Sequence, residues 1–204
     1  MAANVDALLP LSFLEAVRTV DTPEGDVETE YVPELRNKRL GLSDTVYAQI
    51  RRYTDAVKRQ QRTPLDEAVA LGRLIGRRPD AEAVFRSAGR YLAREAYLTI
   101  PGTRRRMLRA MPSLLARPLA LRQARRIAHR YLNGALTRVG ASLLLEVPTS
   151  VTADSGPRDV GCAYYESALR ELVRLLVGSA GAVEHVRCVT RGEGTCQWRA
   201  DWRT

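Results

Sequence analysis

Residues 161–202 read GCAYYESALRELVRLLVGSAGAVEHVRCVTRGEGTCQWRADW, and the fold class turns on this stretch. Over residues 161–177, Tyr164, Tyr165, Ala168, Leu169, Leu172, Val173, Leu175 and Leu176 fall on one side of a helix. Glu166, Ser167, Arg170, Glu171 and Arg174 fall on the other. Cys162 lies at the edge of the apolar side, and Gly178 is placed to cap the helix. Residues 183–190 read as a strand and Arg191-Gly192-Glu193-Gly194 as a turn. Residues 196–202 alternate as a second strand, with Cys196, Trp198, Ala200 and Trp202 on one face. The apolar side of the helix must be covered, and the hairpin that follows is the nearest surface to cover it. The expected class is α+β.

Upstream the chain reads as helical. A short helix is expected over residues 1–20 around Phe13, Leu14 and Val17. Ser43 suits the N-cap of a helix through Tyr47, Ile50 and Val57. Thr63-Pro64 starts another, with Asp66 and Glu67 in its first turn, where acids complement the helix dipole. Pro79 opens a third through Val84, Phe85, Tyr91 and Leu92, and Pro101-Gly102 ends it. A further helix is expected to start near Pro118. Its apolar face carries Leu121, Ala124, Ile127, Ala128, Tyr131 and Leu132; its outer face carries Arg122, Arg125, Arg126, His129 and Arg130. Gly134 and Gly140 loosen that pattern. Residues 142–147 read as a buried strand stopped by Pro148, and residues 149–159 as a loop. The expected organisation is an N-terminal helix and acidic arm over residues 1–40, then one α+β domain over residues 41–204 with its motif-bearing core at 140–204.

Hydrophobic residues make up 45% of the 204, enough for a real core. No apolar run is long enough to span a bilayer. The stretch from Ala7 to Leu14 is short, broken by Pro10 and without a basic start, so it does not read as a signal peptide. A cytoplasmic protein is expected. The net charge is +9, unevenly spread: between Glu95 and Glu146 there are ten arginines and no acid, whereas residues 21–34 carry six acids. Arg122, Arg125, Arg126 and Arg130 form a basic surface for which nucleic acid or an anionic membrane is the partner class. A solvated helix face accounts for the same charges and is favoured over both. Few aromatics interleave with the arginines, which argues against recognition of single strands by stacking.

The chain's three cysteines lie within its last 43 residues. Three cannot all pair within one chain, and a cluster in a chain with no export signal favours metal over disulfides. His185 precedes Cys188 with two residues between them, and Cys188 precedes Cys196 with seven. Cys162, His185, Cys188 and Cys196 together would close a tetrahedral zinc site with no open position, a structural rather than catalytic arrangement. One such ion would pin the helix start to the hairpin. Three buried free cysteines beside a solvated histidine account for the same residues.

The segment from Gly161 to Trp202 resembles the 4-vinyl-reductase-type domain, a ligand-binding fold related to the transport-particle (TRAPP) subunits and haem-NO-binding domains. The matching words are GCAYYESAL, VEHVRC and RGEGTCQW. In phenol-sensing regulators with this domain, a cysteine at the helix start, a glutamate three before a second cysteine, and a third cysteine after the glycine turn bind zinc. The cysteines here match at the same spacings, and His185 stands where those regulators carry glutamate. The resemblance is specific over roughly the last 45 residues and architectural upstream. It implies a TRAPP-subunit-like α+β fold with a helical N-terminal half, an antiparallel sheet packed against helices and a zinc-pinned C-terminal hairpin.

It also implies a pocket for an aromatic, tetrapyrrole or acyl ligand, for which Phe85, Tyr91, Tyr131, Tyr164 and Trp198 are the candidate walls; each reads equally as a core aromatic. The resemblance also implies a homodimer, since TRAPP-like relatives dimerise through helical faces. A haem ligand finds no support, since His185 is committed to the metal site and His129 lies on the basic stripe. The expected function is a stand-alone sensor or carrier of a hydrophobic small molecule. The alternatives are a reductase or accessory protein of bacteriochlorophyll or tetrapyrrole synthesis, and a basic-surface scaffold. The sequence has no ATPase motif and no DNA-binding helix pair, which excludes a full transcriptional activator. No catalytic residue set is visible, and the glycines at 72 and 76 follow no predicted strand, so they form no phosphate cradle.

Overall fold

The computed structural model describes residues 3–22, 40–156, 159–178 and 181–202. Most of the acidic arm, residues 23–39, lies outside the described residues. The class is α+β: seven α-helices and two antiparallel sheets among the described residues.

Helix α1 (Leu8–Asp21) is almost wholly buried and contributes Leu9, Phe13 and Val17 to the same hydrophobic core as the rest of the chain. Pro10 sits in its first turn, where no backbone N–H is needed. The Leu8 N–H donates instead to Asp6 Oδ1 at 3.0 Å. Asp21, the first acid of the arm, is buried: Arg78 grips it through two bonds of 2.6 and 3.1 Å, and the Gly41 N–H donates to it at 2.8 Å.

Helix α2 (Asp44–Lys58) is capped as expected, with the Ser43 hydroxyl accepting from the Val46 N–H. Helix α3 (Leu65–Gly76) follows Pro64, with Asp66 and Glu67 in its first turn. Helix α4 (Ala81–Leu98) runs through Val84, Phe85 and Leu92.

The last helix, α7 (Cys162–Val177), packs along α4 and ends at Gly178, which adopts the left-handed φ of 82°. The two helices approach so closely that a Cβ added at Gly89 would stand 2.2 Å from the Tyr164 carbonyl oxygen. Arg86 with Glu166 (3.1 Å) and Arg94 with Glu171 (2.8 Å) clamp the pair.

The larger sheet orders its strands β3 (Ala135–Val139), β4 (Ser142–Val147), β6 (Cys196–Asp201) and β5 (Val183–Arg187), all antiparallel. Leu143, Leu145 and Val147 of β4 pair with Ala200, Trp198 and Cys196 of β6, so one face is apolar throughout. Helix α7 packs against β5 and β6.

Five features differ from the sequence expectation. Helix α5 (Gly102–Ala110) has no counterpart in it, because GTRRRMLRA carries too thin an apolar stripe to show a period. Helix α6 (Ser113–Tyr131) begins five residues before Pro118, so the proline lies inside it. Beyond the first turn, a proline removes one backbone hydrogen bond from the helix. Strand β3 is an exposed edge, and the pair β1 (Asn4–Asp6) with β2 (Arg62–Pro64) is three residues long, too short to show alternation. Finally, β5 stops at Arg187, where a bulge after His185 breaks the ladder and a 3-10 turn spans Val189–Arg191. Among the described residues no helix is long and apolar enough to cross a membrane.

Candidate metal centre

Cys162 opens α7, His185 lies on β5, Cys188 follows that strand's end, and Cys196 opens β6. Their ligand atoms, three sulfurs and one ring nitrogen, all lie within 4.8 Å of one another. The three cysteines are buried and none is disulfide-bonded. The Cys162 and Cys188 sulfurs are 3.7 Å apart. These four residues are able to hold a metal ion.

The shortening of β5 is what makes this convergence. Had the strand continued through residue 190, Cys188 would have stayed in the ladder. Instead the chain turns at Cys188, whose carbonyl accepts from the N–H groups of Arg191 (3.1 Å) and Glu193 (3.3 Å). Gly192 and Gly194 take φ of 79° and 80°, values that glycine adopts without strain. The loop also surrounds the site with polar contacts. The Val189 N–H donates to the Cys196 sulfur at 3.4 Å, the Thr190 hydroxyl oxygen lies 2.9 Å from the Cys188 sulfur, and Glu193 accepts from the Cys188 N–H at 2.7 Å. Asp159, just before α7, accepts from the Thr190 hydroxyl and from Arg191. Those two bonds, the Thr190 one first, hold its carboxyl below the ordinary range. Sequence reasoning misses Asp159, Thr190, Arg191 and Glu193 as parts of the site; the RGEG turn is the only signal of this loop.

Two electrostatic facts bear on metal binding. Hydrogen bonding to Cys196, and then burial, push the Cys162 thiol up, while the same bond draws the Cys196 thiol down. Three sulfurs this close cannot all be thiolates without a cation between them. The second fact concerns His185. Its Nε2 is buried with no hydrogen-bond partner among the described residues, while Nδ1 faces Arg191 Nη2 at 3.2 Å. An orphaned buried imidazole nitrogen beside three sulfurs is what a metal ion would satisfy.

The predicted pocket aromatics are not all brought together. Phe85, Tyr164 and Trp198 belong to one continuous series of ring contacts. Phe13 meets Phe85 at 5.9 Å and Tyr164 at 5.1 Å; Tyr164 meets Tyr165 at 5.0 Å; Tyr165 stacks on Trp198 at 4.8 Å. Trp198 then stacks on the His185 ring at 4.9 Å, so the series runs from the helical core to the metal ligands. Tyr91 lies half-buried on α4, and Tyr131 borders a separate groove beside Arg130. A more apolar groove of about 400 Å³ runs between α5, α6 and the end of α7, past Leu108, Met111, Ala120 and Leu175. Arg122, Arg125 and Arg126 are exposed on α6 as expected, and Arg130 is partly covered.

No family model, curated protein or solved structure matches the chain. The site therefore stands on its own residues.

Proposed function

We propose that this chain is a stand-alone small-molecule-binding module of the 4-vinyl-reductase type, a sensor or carrier whose C-terminal core is clamped by one structural zinc. The observation that carries the reading is the convergence of Cys162, His185, Cys188 and Cys196. Zinc suits this donor set because it is borderline-soft and takes four sulfur or nitrogen ligands in a tetrahedron. Thiolates about 2.3 Å from a tetrahedral ion stand about 3.8 Å apart, close to the 3.7 Å between Cys162 and Cys188. Four protein ligands leave no open position, so the ion would hold the fold and carry no chemistry. Thiols kept free for metal fit a reducing, cytoplasmic setting. Native mass spectrometry before and after chelation tests this half: one zinc per folded chain is expected, and a folded, zinc-free chain as isolated would overturn it.

The ligand half is supported by Trp198. Its indole N–H is fully buried and has no partner among the described residues. Such an orphan costs about 1–3 kcal/mol, which a bound molecule with an acceptor oxygen would recover. A phenol offers an oxygen for that N–H and an apolar ring beside the aromatic series. A thermal-shift series of phenols against their deoxygenated analogues is the test. Stabilisation by the phenols alone, lost in Trp198→Phe, supports the reading. A long acyl chain would lie instead in the apolar groove beside α5 and lose its effect in Leu175→Arg. Silence of phenols, tetrapyrroles and acyl chains alike would remove the ligand half and leave the zinc half standing.

A further inference from the structure

The arginines of α6 are not equivalent. Arg130 pairs with Asp6 at 3.2 Å, and its guanidinium lies 5.1 Å from the Tyr131 ring centre. Arg125 donates to the Leu136 carbonyl at 3.2 Å. Both are engaged within the fold. Arg122 and Arg126 are exposed and make no hydrogen bond or ion pair with any described residue, and the same is true of Arg104 on α5. These three surround a concavity of about 450 Å³ whose other walls are Leu119 and Gln123. An adjoining groove of about 420 Å³ shares Arg104, Gln123 and Arg126 with it.

Gln123 stands between the two hollows and borders both. Its carboxamide makes no hydrogen bond with any described residue, so its two donors and one acceptor are free to meet a ligand in either hollow. A merely solvated basic face requires no hollow. Arg138, on edge strand β3, shows that simpler arrangement: it is exposed and bonds only to the Gly140 carbonyl at 3.0 Å.

We infer that Arg104, Arg122, Gln123 and Arg126 form a binding site for a small phosphorylated molecule. Guanidinium forks match phosphate oxygens in pairs, and three of them with no acid on the wall suit a multiply charged anion. The volume lies in the range of small-ligand sites. No aromatic side chain borders the three-arginine hollow, so it has no platform for stacking bases. Asp6 and Glu95 line the adjoining groove and would repel a continuous polyanion entering it. Both features favour a small ligand over a nucleic-acid strand.

Isothermal titration of the full chain with tripolyphosphate tests the site, with duplex DNA and phosphatidylglycerol vesicles as parallel arms. The expected result is saturable one-to-one binding of tripolyphosphate. It should weaken at least tenfold in Arg126→Gln and in Gln123→Leu, and stay unchanged in Arg138→Gln. If Gln123→Leu fails to fold, the double variant Arg104→Gln/Arg122→Gln, altered only at exposed positions, carries the same expectation. Absence of saturable binding, or an equal loss in Arg138→Gln, overturns the proposal. So does tighter binding of DNA or vesicles that is indifferent to Gln123→Leu, which would make this a macromolecular surface.

Discussion

Among single residues, the candidate metal ligands differ in what they can lose. Cys188 and Cys196 are fully buried, and each receives a hydrogen bond or close donor from the 188–194 loop. Replacing either with Ala should abolish zinc retention, read by elemental analysis of the purified chain. It should also lower unfolding stability by about 3 kcal/mol or more, because metal binding energy is folding energy. Thr190→Val leaves all four ligands in place but removes the hydroxyl 2.9 Å from the Cys188 sulfur. Zinc affinity should then fall roughly tenfold in a chelator competition, the scale of loss typical of groups that orient a ligand.

Glu171 makes a separate prediction. Arg174 first, then Arg94, hold its carboxyl down at about 2, against burial pushing the other way. A depressed folded value means the carboxylate stabilises above the unfolded pKa near 4.5 and loses that contribution as pH falls toward 2. Both arginines are half-exposed, so solvent screening limits the effect to about 1 kcal/mol. Denaturant melts should show Glu171→Gln less stable than the parent at pH 7, with the gap narrowing below pH 4.5 and closing toward pH 2. A gap independent of pH would show that the charge is not the cause.

Between elements, the contact of α4 with α7 sets the position of the metal site, because α7 begins with Cys162. Gly89 permits that contact. In an isolated helix Gly→Ala stabilises by roughly 1 kcal/mol. Here the new methyl would meet the Tyr164 carbonyl and the Ser167 hydroxyl, both at 2.2 Å, and a backbone oxygen cannot swing aside. Gly89→Ala should therefore destabilise by about 2 kcal/mol in a denaturant titration, reversing the sign that helix propensity dictates. The elements that sequence pattern does not reveal share a cause. Strand β3 and helix α5 are mostly exposed, so no burial pattern is written into them. For β3 a weaker signal does exist: Val139 pairs with Ser142 around the two-residue loop Gly140-Ala141, a glycine-first loop of the kind that closes hairpins.

Across the molecule as a whole, α1 and the Cys/His cluster are joined through one series of rings. α1 supplies Phe13 to the aromatic series that leads through Tyr164, Tyr165 and Trp198 to His185. Chelation should lower the melting temperature and raise hydrogen exchange most in residues 183–196 and the first turn of α7, while α1 and α4 stay protected. Uniform loss of protection would mean that the metal holds the entire core rather than one corner. Removing residues 1–22 should do what chelation does not: expose the core of α4 and α7 and leave a chain without a cooperative thermal transition.

Whatever depends on local pattern is legible in the sequence. The 3.6-residue period marks α7, and alternation marks the face of β6. Cysteine spacing marks the four candidate metal ligands, and the run of arginines marks the outside of α6. Each of these is carried by neighbours along the chain, so it survives without knowledge of the fold. Where those patterns meet is a matter of tertiary packing. Packing ends β5 at Arg187 so that Cys188 turns inward, and it places Asp21 under Arg78 instead of in solvent. It joins Phe85, Tyr164 and Trp198 in one series while setting Tyr91 and Tyr131 apart. It also divides the arginines into those engaged within the fold and those ringed around Gln123. A side chain's partners come from elements distant in sequence, and no periodicity records which residue will stand opposite.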